Sequence, residues 1–169
     1  MDFATGFAIG FLFVILLVVI VSLNKNKKIG GEYDERQQIV RGKGYKAGFF
    51  TMLILNMIII CLTNDDGSLK YITSDAAVLI SVFIALIVFA VYCIFNDGYF
   101  GVFEKPKSTI CLLLLISLIN ILIGIANYKE WFYDGKLSSG IMNFVCGITL
   151  FVISLAGVVK LMLNKREDE

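Results

Sequence analysis

Ala76-Ala77-Val78-Leu79-Ile80-Ser81-Val82-Phe83-Ile84-Ala85-Leu86-Ile87-Val88-Phe89-Ala90-Val91-Tyr92-Cys93-Ile94-Phe95 carries no charged side chain from end to end. A helix rising 1.5 Å per residue needs about 20 such positions to cross about 30 Å of hydrocarbon. The stretch therefore reads as a membrane span, and the rest of the chain follows from it. Four other segments share its character, so the expected spans are 3–23, 47–63, 76–95, 109–126 and 141–163. Their one internal charge is Lys160, a turn from the end of the last span, where a long stem can snorkel to the headgroups. Composition agrees: the chain is 58% hydrophobic and 17% charged, whereas a soluble domain has about 45–50% and about 25%.

Lys and Arg fix the orientation, because they accumulate in the short connections on the inner side. Lys25, Lys27, Lys28, Arg36, Arg41, Lys43 and Lys46 lie in the 24–46 linker between the first and second spans. Lys105 and Lys107 lie between the third and fourth spans, and Lys160, Lys165 and Arg166 close the fifth. Only Lys70, Lys129 and Lys136 fall on the other side. The expected fold is thus an all-α, five-span integral membrane bundle with the N-terminus outside and the C-terminus cytoplasmic. The first span has only Met1 and Asp2 before it and a lysine-rich segment after it, the reverse of a signal peptide, and reads as an uncleaved anchor.

Several classes of function drop out. A net charge of +1 gives no basic field for nucleic acid. With no His, imidazole metal sites and imidazole acid–base chemistry are missing, and no carboxylate lies at depth in a span. No catalytic, cofactor or metal-binding residue is assigned, and the chain is not expected to be an enzyme. Cys61, Cys93, Cys111 and Cys146 all lie in spans. Cys61 and Cys146 share the outer half, and inert packing is preferred over a disulfide there.

Most of the sequence outside the spans is on the inner side. Segment 32–41 has good helix formers with Glu32 and Arg36 spaced i, i+4. It predicts a short amphipathic helix on the inner surface, or one that prolongs the second span downward. Gly42-Lys43-Gly44-Tyr45-Lys46-Ala47 matches a dinucleotide-binding spacing, but it leads into a membrane helix rather than following a strand, so that reading is set aside. Asn96-Asp97-Gly98 can end the third span through a left-handed cap, with Tyr99, Phe100 and Phe103 at the interface. Asp34, Glu35, Arg36 and Arg41 are expected to form a salt-bridge network with this third connection. The resulting inner-face interaction site comprises Asp34, Glu35, Arg36, Arg41, Lys43, Asn96, Asp97 and Tyr99.

A second cluster lies within the membrane. Counting down each helix puts Asn56, Ser81, Asn120, Asn143, Cys146 and Thr149 within about 12 Å of the outer surface. Buried amides need partners in hydrocarbon. Two readings stand: interhelical hydrogen bonds, which is preferred, or a polar vestibule. Asn56 and Asn120 hold similar places in the second and fourth spans, as a duplicated two-helix hairpin would produce. Tyr128, Trp131, Phe132 and Tyr133 fit an aromatic belt better than a ligand lip. Gly6 and Gly10 permit close helix approach, within the subunit or in a homo-oligomer.

The run Tyr33-Asp34-Glu35-Arg36-Gln37, then Arg41-Gly42-Lys43-Gly44-Tyr45-Lys46, then Asn96-Asp97-Gly98-Tyr99-Phe100 resembles a group of small uncharacterised bacterial polytopic inner-membrane proteins. Gly44 stands where that group more often has Ala. The resemblance implies a multi-pass bacterial cell-membrane protein and directs attention to its inner face, and no activity comes with it. The function expected is a non-enzymatic accessory or regulatory membrane subunit that binds a membrane or cytoplasmic protein partner, or anionic lipid, at its cytoplasmic face. The alternative is a small oligomeric transporter or channel with a polar outer-half cavity.

Overall fold

The computed structural model describes residues 33–64, 69–102 and 104–167. The expected first span, the Gly6/Gly10 pair and the lysine-rich start of the linker lie outside them. Four long helices make up nearly all of the rest: α1 (Glu35–Leu62), α2 (Ser74–Phe95), α3 (Pro106–Ala126) and α4 (Met142–Glu167). All four are long and apolar enough to cross a membrane, so the chain is a multi-pass helical bundle.

Segment 35–46 is not a separate surface helix. It forms the first turns of α1, continuous with the membrane stretch, so of the two expected arrangements the downward extension is the one adopted. Asp34 starts it with a capping box: its carboxylate accepts from the Gln37 backbone N–H at 2.6 Å, and the Gln37 side chain accepts from the Asp34 N–H at 3.3 Å. Gly42 and Gly44 do not break the helix. Gly44 is buried, and a Cβ there would lie 2.7 Å from Cys93 Sγ, so its smallness serves packing against α2. The Gly-x-Gly-x-x-Ala spacing therefore lies on helix throughout and forms no phosphate-binding loop.

α2 ends as the sequence predicts, with one change of residue. The left-handed position is Asp97, at φ 59°, and the Gly98 N–H donates to Cys93 O at 2.7 Å while the Asp97 N–H donates to Ile94 O at 3.3 Å. This is a Schellman closure. Gly98 is required for a different reason: a Cβ there would lie 2.5 Å and 2.9 Å from Val40 of α1. α3 starts with Pro106 in its first turn, where the missing N–H costs nothing.

Between α3 and α4 the connection is folded rather than loose. A 3₁₀ turn (Tyr128–Glu130) leads into β1 (Phe132–Tyr133), a turn with Asp134 and Gly135 both at positive φ, and β2 (Lys136–Leu137). That pair of angles is the type I′ geometry that suits a two-residue hairpin. β1 and β2 pair antiparallel with Phe132 opposite Leu137. Leu137 also bridges Ile72 in parallel, with the Thr73 N–H donating to Leu137 O at 2.8 Å and the Leu137 N–H to Tyr71 O at 2.9 Å. The α1–α2 loop and the α3–α4 loop are thus joined by backbone hydrogen bonds. Trp131 packs on Phe144 and donates from Nε1 to Gly124 O at 2.9 Å, while Phe132 and Tyr133 stay exposed.

The helices pack in the order α1, α2, α4, α3, with α3 on α4 and α1 on α2 as the closest pairs. Small residues allow this, as in membrane helix pairs generally. Gly48 of α1 lies against Ala85 of α2, and Gly124 and Gly147 bring α3 and α4 to backbone contact. Ser117 Oγ donates to Gly147 O at 3.0 Å across that seam. The apolar centre is Ala90, Ile94, Ile153 and Ala156, with Phe89, Val91, Tyr99 and Leu113 around it.

Candidate functional site where α1, α2 and α4 meet

The first turns of α1, the turn after α2 and the last turns of α4 meet at one end of the bundle. Gln37 lies at the third position of α1, one side-chain oxygen closing the cap and its Nε2 reaching across to the α2 turn. That amide donates to Asp97 O at 3.2 Å and to Phe100 O at 3.1 Å. One turn on, Arg41 donates to Gly98 O at 3.5 Å and to Tyr45 Oη at 3.4 Å. Its guanidinium lies 4.0 Å from the centroid of the Tyr33 ring, a cation–π contact. From the other side, Lys160 pairs with the Asp97 carboxylate at 3.1 Å and donates to Phe95 O at 3.4 Å. Between these groups a cleft of about 280 Å³ opens, lined by Gln37, Asp97, Phe100, Glu104, Lys160 and Asn164 among others.

Of the inner-face residues expected from sequence, Arg41, Asp97 and Tyr99 come together here. Tyr99 is half-buried against the apolar centre and makes an edge-on contact with Phe100 at 5.0 Å. Burial pushes its phenol pKa up, the Tyr33 and Glu104 charges add to this, and Arg41 opposes it. A raised folded value means a contribution to stability that is present below the ordinary pKa near 10 and lost as pH rises through the folded value. Alkaline titration followed in the phenolate absorbance band should show a transition above 10 that Tyr99→Phe removes; its survival in the variant would place it on another tyrosine.

Among the described residues the expected salt-bridge network does not form. Asp34 is spent on the helix cap, and Glu35, Arg36 and Lys43 are exposed. Asn96 turns back to its own helix, donating to Tyr92 O at 2.8 Å. The α2 turn offers main-chain carbonyls to α1, and backbone acceptors cannot be read from side-chain identity. Gln37 and Lys160 were missed as site residues. Gln37 had a signal, since an amide three residues after Asp34 marks a capping box, and Lys160 had one in being the only charge inside a span.

The outer polar layer does not converge. Asn56 donates to Ser81 Oγ at 2.8 Å and to Met52 O at 2.8 Å, joining α1 to α2. Asn120 and Thr149 donate to carbonyls of their own helices, Ile116 O at 2.9 Å and Val145 O at 2.9 Å. Asn143 is exposed and Cys146 half-buried. Asn56 and Asn120 sit on the two outermost helices of the row, so similar sequence positions do not become neighbours. All four cysteines are free thiols.

Among the described residues no three His, Cys, Asp or Glu side chains gather as metal ligands would. No protein-family model, curated protein or solved structure matches the chain.

Proposed function

We propose that the chain is a five-span, non-enzymatic accessory or regulatory subunit of a bacterial inner membrane, N-terminus outside and C-terminus cytoplasmic. It docks a protein partner or anionic lipid headgroups through its inner face. One observation carries this reading: Gln37 and Arg41 of α1, the 97–100 turn and Lys160 of α4 are tied into one polar surface with an open cleft at its centre. A loop that only set topology would not need hydrogen bonds between residues some 60 positions apart. Positive charge on Arg36, Lys43, Lys105 and Lys107 surrounds this surface, each worth about 1 kcal/mol against an anionic leaflet. The bacterial assignment rests on the sequence resemblance alone. The transporter alternative has less support, since Asn56 is satisfied by Ser81 and Asn120 by its own helix.

Photo-crosslinking in native membranes tests the docking reading. Probes at Arg36, exposed on the first turn of α1, and at Val102, exposed and lining the cleft, should yield a discrete protein adduct or an anionic-lipid adduct, absent when the probe is at Tyr133 in the α3–α4 connection. Adducts to neutral lipid or to the chain itself alone would count against it.

A further inference from the structure

A second concavity lies between α1 and α2, just membrane-ward of Arg41. Tyr45, Phe49 and Met52 form one wall and Val82, Leu86 and Phe89 the other, enclosing about 460 Å³. Gly48 and Ala85 make its floor: a Cβ on Gly48 would lie 3.1 Å from Ala85 O, so the helices nearly touch and side chains splay around the contact. Tyr45 Oη is the sole oxygen or nitrogen among these side chains. At the inner end, the Tyr45 and Phe89 rings stack at 4.5 Å. Beyond them the Arg41 guanidinium stands 5.9 Å from each ring centroid.

Arg41 has no counter-charge among the described residues. It is half-buried, and among the described residues no carboxylate lies within ion-pairing distance of it. Its two hydrogen bonds, at 3.5 Å and 3.4 Å, are long and use two of five N–H donors. A partly desolvated guanidinium calls for an anion, and its fork matches a phosphate well. The groove below it calls for hydrocarbon, since Tyr45 Oη is its one polar side-chain atom.

We propose that this groove holds an acyl chain of one anionic phospholipid of the inner leaflet, its phosphate on Arg41. The inference deepens the lipid half of the docking proposal and rests on the inner placement of residues 33–46; it shares Arg41 with that surface but fills the groove between α1 and α2, whose lining is distinct from that of the Gln37–Lys160 cleft. A free inorganic anion would meet Arg41 but leave the groove unfilled. A partner helix would fill the groove but leave Arg41 without a charge.

The test is native mass spectrometry of the full chain, released from mild detergent and titrated with phosphatidylglycerol or with phosphatidylcholine of the same acyl composition. One phosphatidylglycerol should bind with a preference of about fivefold over phosphatidylcholine, as expected for one basic residue at the surface. Arg41→Gln should bring that preference to about one, with ion-mobility arrival time unchanged to show that the bundle persists. Leu86→Trp, which fills the groove and leaves Arg41 in place, should abolish the one-to-one step, so the proposal stays testable if Arg41→Gln fails to fold. Equal binding of both lipids, a preference that survives Arg41→Gln, or one-to-one binding that survives Leu86→Trp would overturn it. Adducts at Arg36 and Val102 should be unaffected by Leu86→Trp, which separates failure here from failure of inner-face docking to a protein.

Discussion

Gly147→Leu should destabilise the bundle by about 3 kcal/mol, the sum of an overpacked helix seam and a lost buried hydrogen bond. A Cβ at this position would stand 2.6 Å from Ile121 Cγ1, 2.8 Å from Ile121 N and 3.0 Å from Ser117 O. Two of those three atoms are backbone, so no rotamer change of a neighbour relieves the contact and α3 must move away from α4. Moving it also breaks the Ser117 to Gly147 hydrogen bond, leaving a hydroxyl unpaired at a fully buried seam. The measurement is the midpoint of unfolding in mixed micelles of increasing denaturing-detergent fraction. Gly42→Ala is the control, because a Cβ there meets nothing within 4 Å, and its midpoint should not fall. A Gly147→Leu midpoint equal to the native one would mean that α3 and α4 do not approach as described.

Gly98→Val acts at the other end of the molecule and should release α1 from the α2 turn. The new side chain would compete with Val40 for the same space, and the Gln37 carbonyl lies 3.4 Å away. Separation there costs the two Gln37 bonds and the Arg41 bond to the turn. At about 1 kcal/mol for each net hydrogen bond, a loss of about 3 kcal/mol raises the population with an open helix start about 150-fold. Trypsin reads this directly, since Arg36, Arg41 and Lys43 all lie in those turns. Cleavage at them should accelerate about tenfold or more when protease is limiting. Unchanged cleavage would show that the capping box alone holds the start of α1.

The spans were legible because hydrocarbon imposes a requirement that sequence displays openly: a run of uncharged side chains of sufficient length. α2 was found nearly to the residue for that reason, and the left-handed turn after it because Asn-Asp-Gly is a local signal. The start of α1 was left between two arrangements because polar residues 35–46 suit a surface element as well as a prolonged span; the helix continues because its backbone bonds do, and the glycines at 42 and 44 do not stop it. Arg41, Asp97 and Tyr99 do come together as expected, but through contacts other than those expected. Side-chain charges suggested ion pairs, yet α1 recognises carbonyls that the left-handed turn at Asp97 presents, and their direction follows from φ at one residue. Asn56 makes the interhelical bond expected of it, to Ser81, but it does not meet Asn120: matching positions in sequence say nothing about which helices become neighbours, and the order α1, α2, α4, α3 places the two at opposite edges.

The parallel pairing of Ile72 with Leu137 has a mechanical consequence. The two helical hairpins are sewn together at their loop tips by main-chain bonds, and at the opposite end Lys160 clasps the turn that α1 also grips. A rocker-type protein that exposes a central cavity first to one compartment and then to the other must part its halves at each end in turn. Here α2 is latched to its neighbours at both ends, so such rocking would have to break a latch on every stroke, and a rigid scaffold suits this arrangement better than a moving gate.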